Sequence, residues 1–313
     1  MINYDLTGKR IWVAGHTGMV GSALVRRLQD EDCTLLTIDR DGLDLTRQSD
    51  VEQWVSAHRP DLVFMAAAKV GGIIANRDFP AEFAYVNQVI QTNVINAAYK
   101  AGVEKLVFLG SACMYPRDAS QPLSEDQLMT GLLEPTNEAY GMAKLAGMQL
   151  CQSYRRQYGS DFITVLPTNS YGPNDNYDPI TSHVPAALMV KCHEAKNSEA
   201  PHVEVWGSGK PTRDFLHVDD MADAIVAASK LYSAEAPINI GSGTEVSIGD
   251  LAGAIADAVG FEGALSFDAS KPDGAPRKIL DNSKLKNLGW KPKHSLPSGM
   301  KHAYEYYKEQ KGV

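Results

Sequence analysis

The sequence predicts an α/β protein: a doubly wound parallel sheet followed by a smaller α/β lobe. Three observations carry that reading. Strand-like and helix-like runs alternate through the first half of the chain. Gly15-x-x-Gly18-x-x-Gly21 follows directly on the first apolar run. Residues able to do chemistry recur just past the ends of the predicted strands. Open α/β sheets bind their ligands beyond those ends.

The elements follow in order. Arg10–Ala14 reads as a buried strand and Gly15–Gly21 as the turn into a helix. Met19–Asp30 carries that helix, with Val20, Leu24 and Leu28 at helical spacing. Thr34–Ile38 is a second strand, Asp50–His58 a helix and Leu62–Ala66 a third strand. Ala81–Ala101 is a long helix and Lys105–Leu109 a fourth strand. Asn137–Tyr158 is another helix, and the strand Phe162–Leu166 follows it. This is the Rossmann-type alternation, with Gly15, Arg40, Ala66–Ala68 and Ser111 at carboxyl ends of strands.

The pattern loosens after about residue 170, where Pro173, Pro179, Pro185, Pro201 and Pro211 punctuate short elements. His217–Leu231 and Ile248–Val259 read as helices, and Pro237–Ile240 and Gly263–Asp268 as strands. Leu296–Gln310 is a terminal helix. The expected division is a cofactor domain over 1–170, rejoined by segments from about 210–245, and a mainly substrate-binding lobe over 171–313.

Composition narrows the function. The chain has 313 residues, 44% hydrophobic and 22% charged, as in an ordinary globular protein. A net charge of −8 argues against nucleic acid as the main partner. No apolar run approaches the ~20 residues that cross a bilayer. Met1-Ile2-Asn3-Tyr4-Asp5 is polar and has no signal-peptide pattern. Cys33, Cys113, Cys151 and Cys192 show no paired spacing, so a reducing cytoplasm is expected. The eight histidines form no His-Glu-x-x-His pattern, and no metal is expected.

Tyr140-x-x-x-Lys144 is the most informative motif. Residues four apart share a helix face, so the ammonium is expected to draw the phenol toward neutrality. Such a phenol exchanges a proton with a carbinol oxygen while a nicotinamide exchanges hydride with its carbon. Ser111, in Gly110-Ser111-Ala112-Cys113, can hold the same oxygen. The glycine loop lets backbone N–H groups approach a pyrophosphate at a helix N-terminus. At the ribose end an acidic residue favours a free 2′-hydroxyl, and an arginine favours a 2′-phosphate. Asp39 and Arg40 are both present, and Asp39 is the better placed by simple spacing, yet the residues here leave NAD and NADP open.

These motifs resemble the extended short-chain dehydrogenase/reductase superfamily, and within it the GDP-L-fucose synthase family. The most specific segments are Ala66-Ala-Ala-Lys-Val-Gly-Gly72, Ser111-Ala-Cys-Met-Tyr-Pro116 and Lys271-Pro-Asp-Gly-Ala-Pro-Arg-Lys278. Glu134-Pro-Thr-Asn-Glu-Ala-Tyr140, Pro167-Thr-Asn-Ser-Tyr-Gly-Pro173 and Arg213-Asp-Phe-Leu-His-Val-Asp-Asp220 add to them. The resemblance implies 3,5-epimerisation of GDP-4-dehydro-6-deoxy-D-mannose, then NADPH-dependent reduction at C4. It assigns Ser111, Tyr140 and Lys144 to reduction and Cys113 with His183 to epimerisation. It implies NADP contacts at Gly15, His16, Thr17, Gly18, Met19, Val20 and Gly21. Further NADP contacts are implied at Arg40, Asp44 and Leu45, and at Leu109, Gly110, Ser111 and Ala112. Lys144, Pro167, Thr168, Asn169, Ser170 and His183 complete that set. Lys191, Trp206, Arg213, Asp273 and Lys278 resemble GDP-sugar contacts. A homodimer is implied by analogy with the superfamily.

Three positions depart from the family pattern. Thr17 stands where several members carry an arginine that helps bind the 2′-phosphate. Asp39 adds a negative charge beside Arg40. Lys191 replaces a common arginine, turning a bidentate phosphate grip into a point charge. Three rival readings remain. A UDP-sugar 4-epimerase has no need of a Cys–His pair at these places. A reductase of a neighbouring GDP-sugar, a dideoxy-hexose or a 6-deoxy-heptose, shares most motifs. A non-catalytic dinucleotide sensor has no reason to keep Ser111, Tyr140 and Lys144 together. Taken alone, Cys113 reads as a small buried hydrophobe and His183 as a helix cap.

Overall fold

Strands that are apolar on both faces need helices on both sides. The chain satisfies that demand. The computed structural model describes residues 3–178, 181–271 and 273–312. In chain order its first half runs β1 (Arg10–Ala14), α1 (Met19–Leu28), β2 (Thr34–Leu36), α2 (Gln48–His58), β3 (Leu62–Met65) and α3 (Ile73–Asp78). Then come α4 (Pro80–Lys100), β4 (Lys105–Leu109), α5 (Glu138–Tyr158) and β5 (Asp161–Pro167). The second half begins with β6 (Asn169–Tyr171), α6 (Val184–Asn197), β7 (His202–Trp206), β8 (Thr212–Arg213) and β9 (Phe215–His217). It continues with α7 (Val218–Leu231), β10 (Ile238–Ile240), β11 (Val246–Ser247), α8 (Ile248–Val259) and β12 (Ala264–Asp268). β13 (Arg277–Lys278), α9 (Ser283–Asn287) and α10 (Leu296–Lys311) close the chain.

The main sheet is parallel, in the order β10-β5-β4-β3-β1-β2. Alternate residues of each strand face opposite layers. Trp12, Val63, Met65, Leu106 and Phe108 pack under α2, α4 and α5. Ile11, Val13, Leu62, Phe64, Val107 and Leu109 pack under α1 and α7. β10 pairs with β5, so the chain returns to the sheet well after it has left it. A third cluster joins α6, α8 and α10 over Val203 and Val205 of β7. β7 pairs with β12, and β8 lies between β11 and β13.

The second half is more regular than its prolines suggest. Pro185 lies in the first turn of α6, where a missing N–H costs nothing. A 14-residue helix therefore begins where the sequence reads as broken. β7 alternates exposed and buried residues along His-Val-Glu-Val-Trp and was also not anticipated. Among the described residues no helix is long and apolar enough to cross a membrane. All four cysteines are free thiols.

His217, His294 and His302 gather where β9, α7 and α10 meet. The His217 and His294 rings stack 4.1 Å apart, and the three rings lie 8–25° from parallel. Lone pairs lie in the ring plane, so stacked rings do not aim at one ion. His217 Nδ1 accepts the Asp219 N–H at 3.2 Å, and its Nε2 lies 3.1 Å from His302 Nδ1. Burial, then the neighbouring His294 charge, push His217 down to about 4, against the pull of Asp219 and Asp220. Between about pH 6.5 and 4 the unfolded chain therefore takes up a proton that the folded chain refuses. Stability held above that window is lost as pH falls through it. The urea midpoint is expected to drop from pH 7 to pH 4.5 by more in the parent than in His217→Asn. Equal slopes for the two proteins would show that His217 does not carry the effect.

Candidate active site

The site begins at the glycine loop. Gly15 has φ +87°, and a Cβ there would sit 2.6 Å from the Ala67 amide. A Cβ on Gly21 would collide with the Gly15 carbonyl. These two glycines let β1, α1 and the chain after β3 close together. Gly18 is different, since a Cβ there meets only the Gly15 carbonyl, at 3.5 Å. It caps α1 without a side-chain bond, and first-turn N–H groups have no partner inside a helix. His16 Nδ1 is buried without a partner nearby. Open space, free N–H groups and an orphaned ring nitrogen fit a dinucleotide pyrophosphate.

At the ribose end the two rival side chains separate. Asp39 Oδ1 accepts the Gly42 N–H at 2.8 Å, which closes its own turn. Arg40 is exposed and makes no hydrogen bond or salt bridge among the described residues. Asp44 is held below the usual carboxylate range, first by the Thr46 N–H and then by its hydroxyl. Leu45 offers its carbonyl to Asn93 at 2.9 Å. Thr17 is exposed and adds no charge.

The reacting end gathers around the carboxyl end of β4. Gly110 donates to the Val165 carbonyl at 2.8 Å and leads into the turn Ala112–Met114. Ser111 Oγ accepts the Cys113 N–H at 3.2 Å. Tyr140 and Lys144 approach from the first turns of α5. Their approach depends on Gly141, where a Cβ would sit 2.7 Å from the Cys113 carbonyl. Lys144 Nζ donates to the Leu109 carbonyl at 2.8 Å, and its charge lies 5.9 Å from the Tyr140 ring centre. Burial lowers Lys144 to about 8.

The expectation that Lys144 draws Tyr140 toward neutrality is not met. Burial raises Tyr140 above the usual phenol range, the Cys113 charge adds to this, and a Ser111 hydrogen bond opposes it. Lys144 turns one of its three donors to a backbone carbonyl. His183 sits at the N-cap of α6, yet its side chain makes no cap bond. The residue is exposed to solvent, yet desolvation by the surrounding protein lowers its pKa. The residues before it lean on the chain after β3, with the Gly72 N–H donating to the Thr181 carbonyl at 3.2 Å. Pro167 ends β5, and Thr168 Oγ1 and Asn169 Nδ2 both donate to the Asp214 carbonyl. Ser170 continues this edge, opposite Leu216 in β9.

The five expected substrate contacts form one connected patch in the second lobe. Lys191 Nζ lies 5.2 Å and Lys271 Nζ 5.6 Å from the Trp206 ring centre, and Trp206 is 56% exposed. Asp273 accepts from the Ser208 N–H at 2.6 Å and the Ser208 hydroxyl at 2.8 Å. That clamp ties the loop before β13 to the turn after Trp206. Arg213 and Lys278 are register partners in adjacent strands. Burial lowers Arg213, whose Nη2 would lie 3.4 Å from a Cβ on Gly274. α6 joins the two regions, with His183 at its start and Lys191 eight residues on, about 12 Å at helical rise.

Two contributors escaped the sequence. Gly141 stands inside the tyrosine–lysine spacing as an unremarked variable position, yet it sets the distance between α5 and Cys113. Asn137 donates from Nδ2 to Cys113 Sγ at 3.3 Å. It lies three residues before Tyr140, within a quoted motif, and that spacing was its available signal.

Residues 11–241 match the NAD dependent epimerase/dehydratase family. The chain is 54% identical to a GDP-L-fucose synthase of Sinorhizobium fredii over 97% of both chains. A GDP-L-fucose synthetase of Naegleria fowleri bound to NADP superposes with a TM-score of 0.92. That pair is 29% identical and covers 100% of this chain and 98% of the other. A GDP-6-OMe-4-keto-L-xylo-heptose reductase from C. jejuni gives 0.91 at 36% identity, covering 98% and 99%.

Gly141→Ala places a methyl against the Cys113 carbonyl and the Leu133 side chain. Overpacking of this kind costs about 1–3 kcal/mol. A urea melt is expected to show that loss. A variant as stable as the parent would mean that α5 has room to move.

Proposed function

This chain belongs to the NAD dependent epimerase/dehydratase family, and we propose that it makes GDP-L-fucose from GDP-4-dehydro-6-deoxy-D-mannose. It epimerises C3 and C5 and then reduces C4 with NADPH. The observation that carries this reading is the pairing of two chemistries in one turn. Ser111 and Cys113 share the loop after β4 and face the start of α5. A plain ketoreductase or a UDP-sugar 4-epimerase uses the serine and has no work for the thiol. The higher identity to the Sinorhizobium fredii synthase favours fucose over the heptose reading.

The roles follow from the protonation states. A 4-keto group acidifies the hydrogens at C3 and C5. Burial lowers His183, so its ring is neutral at pH 7 and free to accept a proton. Cys113 carries the other half of the exchange. NADPH, when bound, supplies the hydride that reaches C4. Burial keeps the Tyr140 phenol protonated, which suits a donor to the C4 oxygen. Ser111 orients that oxygen, and the Lys144 ammonium offsets the charge left on Tyr140. Arg213 and Lys278, side by side, face the diphosphate, and Trp206 stacks on the nucleotide or sugar.

Residues 1–170, with the returning α7 and β10, hold the cofactor, and the remainder holds the GDP-sugar. Arg40 reads the 2′-phosphate, since Asp39 is engaged in its own turn. Exposed Tyr85 on α4 and Met142 on α5 suit a homodimer built on those helices, and four free thiols suit a reducing cytoplasm. The test of the whole reading is NADPH oxidation on addition of GDP-4-dehydro-6-deoxy-D-mannose, with the product read by NMR. A product with unchanged C3 and C5 would replace it with a plain reductase.

Arg40→Ala is expected to weaken NADPH binding at least about tenfold and NADH much less, since charge-assisted hydrogen bonds are the strong ones. Equal losses in titrations of the two cofactors would remove Arg40 from the phosphate. Cys113→Ser and His183→Gln are expected to cut solvent deuterium entry at C3 and C5 by about 10²–10⁴. Tyr140→Phe should spare that exchange and stop reduction. The exchange is measured in D₂O with oxidised cofactor bound. Parent-like exchange in both variants would return Cys113 and His183 to structural roles.

A further inference from the structure

We infer that Asn137 is a positioning residue for the epimerisation half-reaction, holding the Cys113 sulfur through its amide N–H and a substrate hydroxyl through its amide oxygen. The inference rests on the function proposed above and adds a residue to it.

Three observations point the same way. Asn137 Nδ2 donates to Cys113 Sγ at 3.3 Å, across 24 residues of chain. Asn137 Oδ1 is buried with no hydrogen-bond partner among the described residues. An orphaned buried acceptor is costly, so its persistence calls for a partner that arrives later. Third, Asn137 occupies the N-cap of α5, where asparagine ordinarily bonds the helix's first N–H groups. Here φ is −138°, ψ is 20°, and the side chain makes no cap bond. The side chain forgoes the local bond its position offers and reaches for the sulfur instead.

The surroundings keep that reach fixed. α3 packs on the turn Pro135–Asn137, and the absent Cβ of Gly141 lets the Cys113 backbone lie against α5. The Ser111 hydroxyl, accepting the Cys113 N–H, anchors the other side of the thiol's residue. The sulfur is therefore held from its backbone and from its tip.

The chemistry explains both ends of the amide. When Cys113 gives its proton to the enolate carbon, the S–H bond breaks and a C–H bond forms. The electron pair left on sulfur is negative charge, and the Asn137 N–H faces it. In the reverse direction the same N–H keeps the sulfur aimed while it takes the proton. The free Oδ1 is an acceptor only. It suits a hydroxyl of the pyranose beside the carbon being inverted, and so fixes the ring relative to Cys113.

Asn137→Asp separates this role from a structural one. Aspartate has the same shape, keeps the acceptor and caps helices as well as asparagine does. It loses the N–H donor and sets a negative charge beside the sulfur. Three measurements are made on the full chain. The first is the rate of Cys113 alkylation by iodoacetamide at pH 7.5, without substrate. The second is deuterium entry at C3 and C5 with oxidised cofactor bound. The third is oxidation of GDP-L-fucose by NADP⁺, which needs no epimerisation. The aspartate variant is expected to alkylate at least about tenfold more slowly, since a charge-assisted bond to sulfur is replaced by repulsion. Its deuterium entry should fall at least about tenfold further than its GDP-L-fucose oxidation. Its melting temperature should stay with the parent's. Parent-like alkylation and exchange overturn the inference, as does a uniform loss of all activities together with the melting temperature. Asn137→Ala, which lacks both donor and added charge, should fall between parent and aspartate in alkylation. A parent that neither exchanges deuterium nor oxidises GDP-L-fucose sinks the proposed function instead. Alkylation alone then decides whether Asn137 holds the sulfur.

Discussion

The close packing of α5 against the turn after β4 is the constraint on which the rest depends. Gly141 lets the Cys113 carbonyl lie where a Cβ would be, and Gly147 does the same for Phe108 one and a half turns further on. With the helix seated there, Lys144 reaches the Leu109 carbonyl and Tyr140 shares a wall with Ser111. The same seating brings Asn137 to the Cys113 sulfur. One helix register thus places Asn137, Tyr140 and Lys144 at the end of one strand. A helix displaced by a methyl's width would misplace all of them, and a small misplacement in a reacting geometry is expensive.

A second constraint is carried by α6. Its N-terminal end carries His183, the proposed epimerisation base, and its body carries Lys191 to the Trp206 ring. A helix is a stiff spacer, so the distance between His183 and Lys191 is set by residue count. The Asp273–Ser208 clamp completes the arrangement from the other side. It holds the segment ending in Lys278 against β8, so Lys278 stands beside Arg213. Asp273 therefore has a structural task whatever it does with a ligand.

Much of this was legible in the residues and some was not, for physical reasons. The first half was readable because buried parallel strands are continuous apolar runs, and Arg10–Ala14 and Lys105–Leu109 match their predicted ends. α6 was hidden because Pro185 looks like a breaker unless its place in the first turn is known. The glycine loop was visible as a pattern, but the division of labour among its glycines was not. Only packing separates Gly15 and Gly21, which close the fold, from Gly18, which leaves space. Asp39 and Arg40 were rivals in sequence, with Asp39 the better placed by spacing. The structure separates them by one hydrogen bond, from the Gly42 N–H to Asp39 Oδ1, whereas Arg40 makes none among the described residues. Asn137 lay in plain view and was passed over, because its position reads as an ordinary helix cap and its bond crosses 24 residues.

The error about Tyr140 is the instructive one. Spacing predicts that a lysine four residues on tunes the phenol, but spacing is blind to desolvation and to rival acceptors. Burial acts on both groups in opposite senses, raising the acid that must lose charge-neutrality and lowering the base that must carry charge. The outcome is a protonated phenol beside a lysine near 8 and a neutral His183. On the proposed mechanism that inventory has the right sign, the imidazole taking a proton in the epimerisation and the phenol giving one in the reduction. On that proposal Lys144 matters most after the phenol has given its proton, when a charge appears that the buried site would otherwise leave uncompensated. Its bond to the Leu109 carbonyl keeps the ammonium at that spot in the meantime. On the proposed mechanism the lysine is then a partner for the product state of the proton transfer rather than a tuner of the resting phenol.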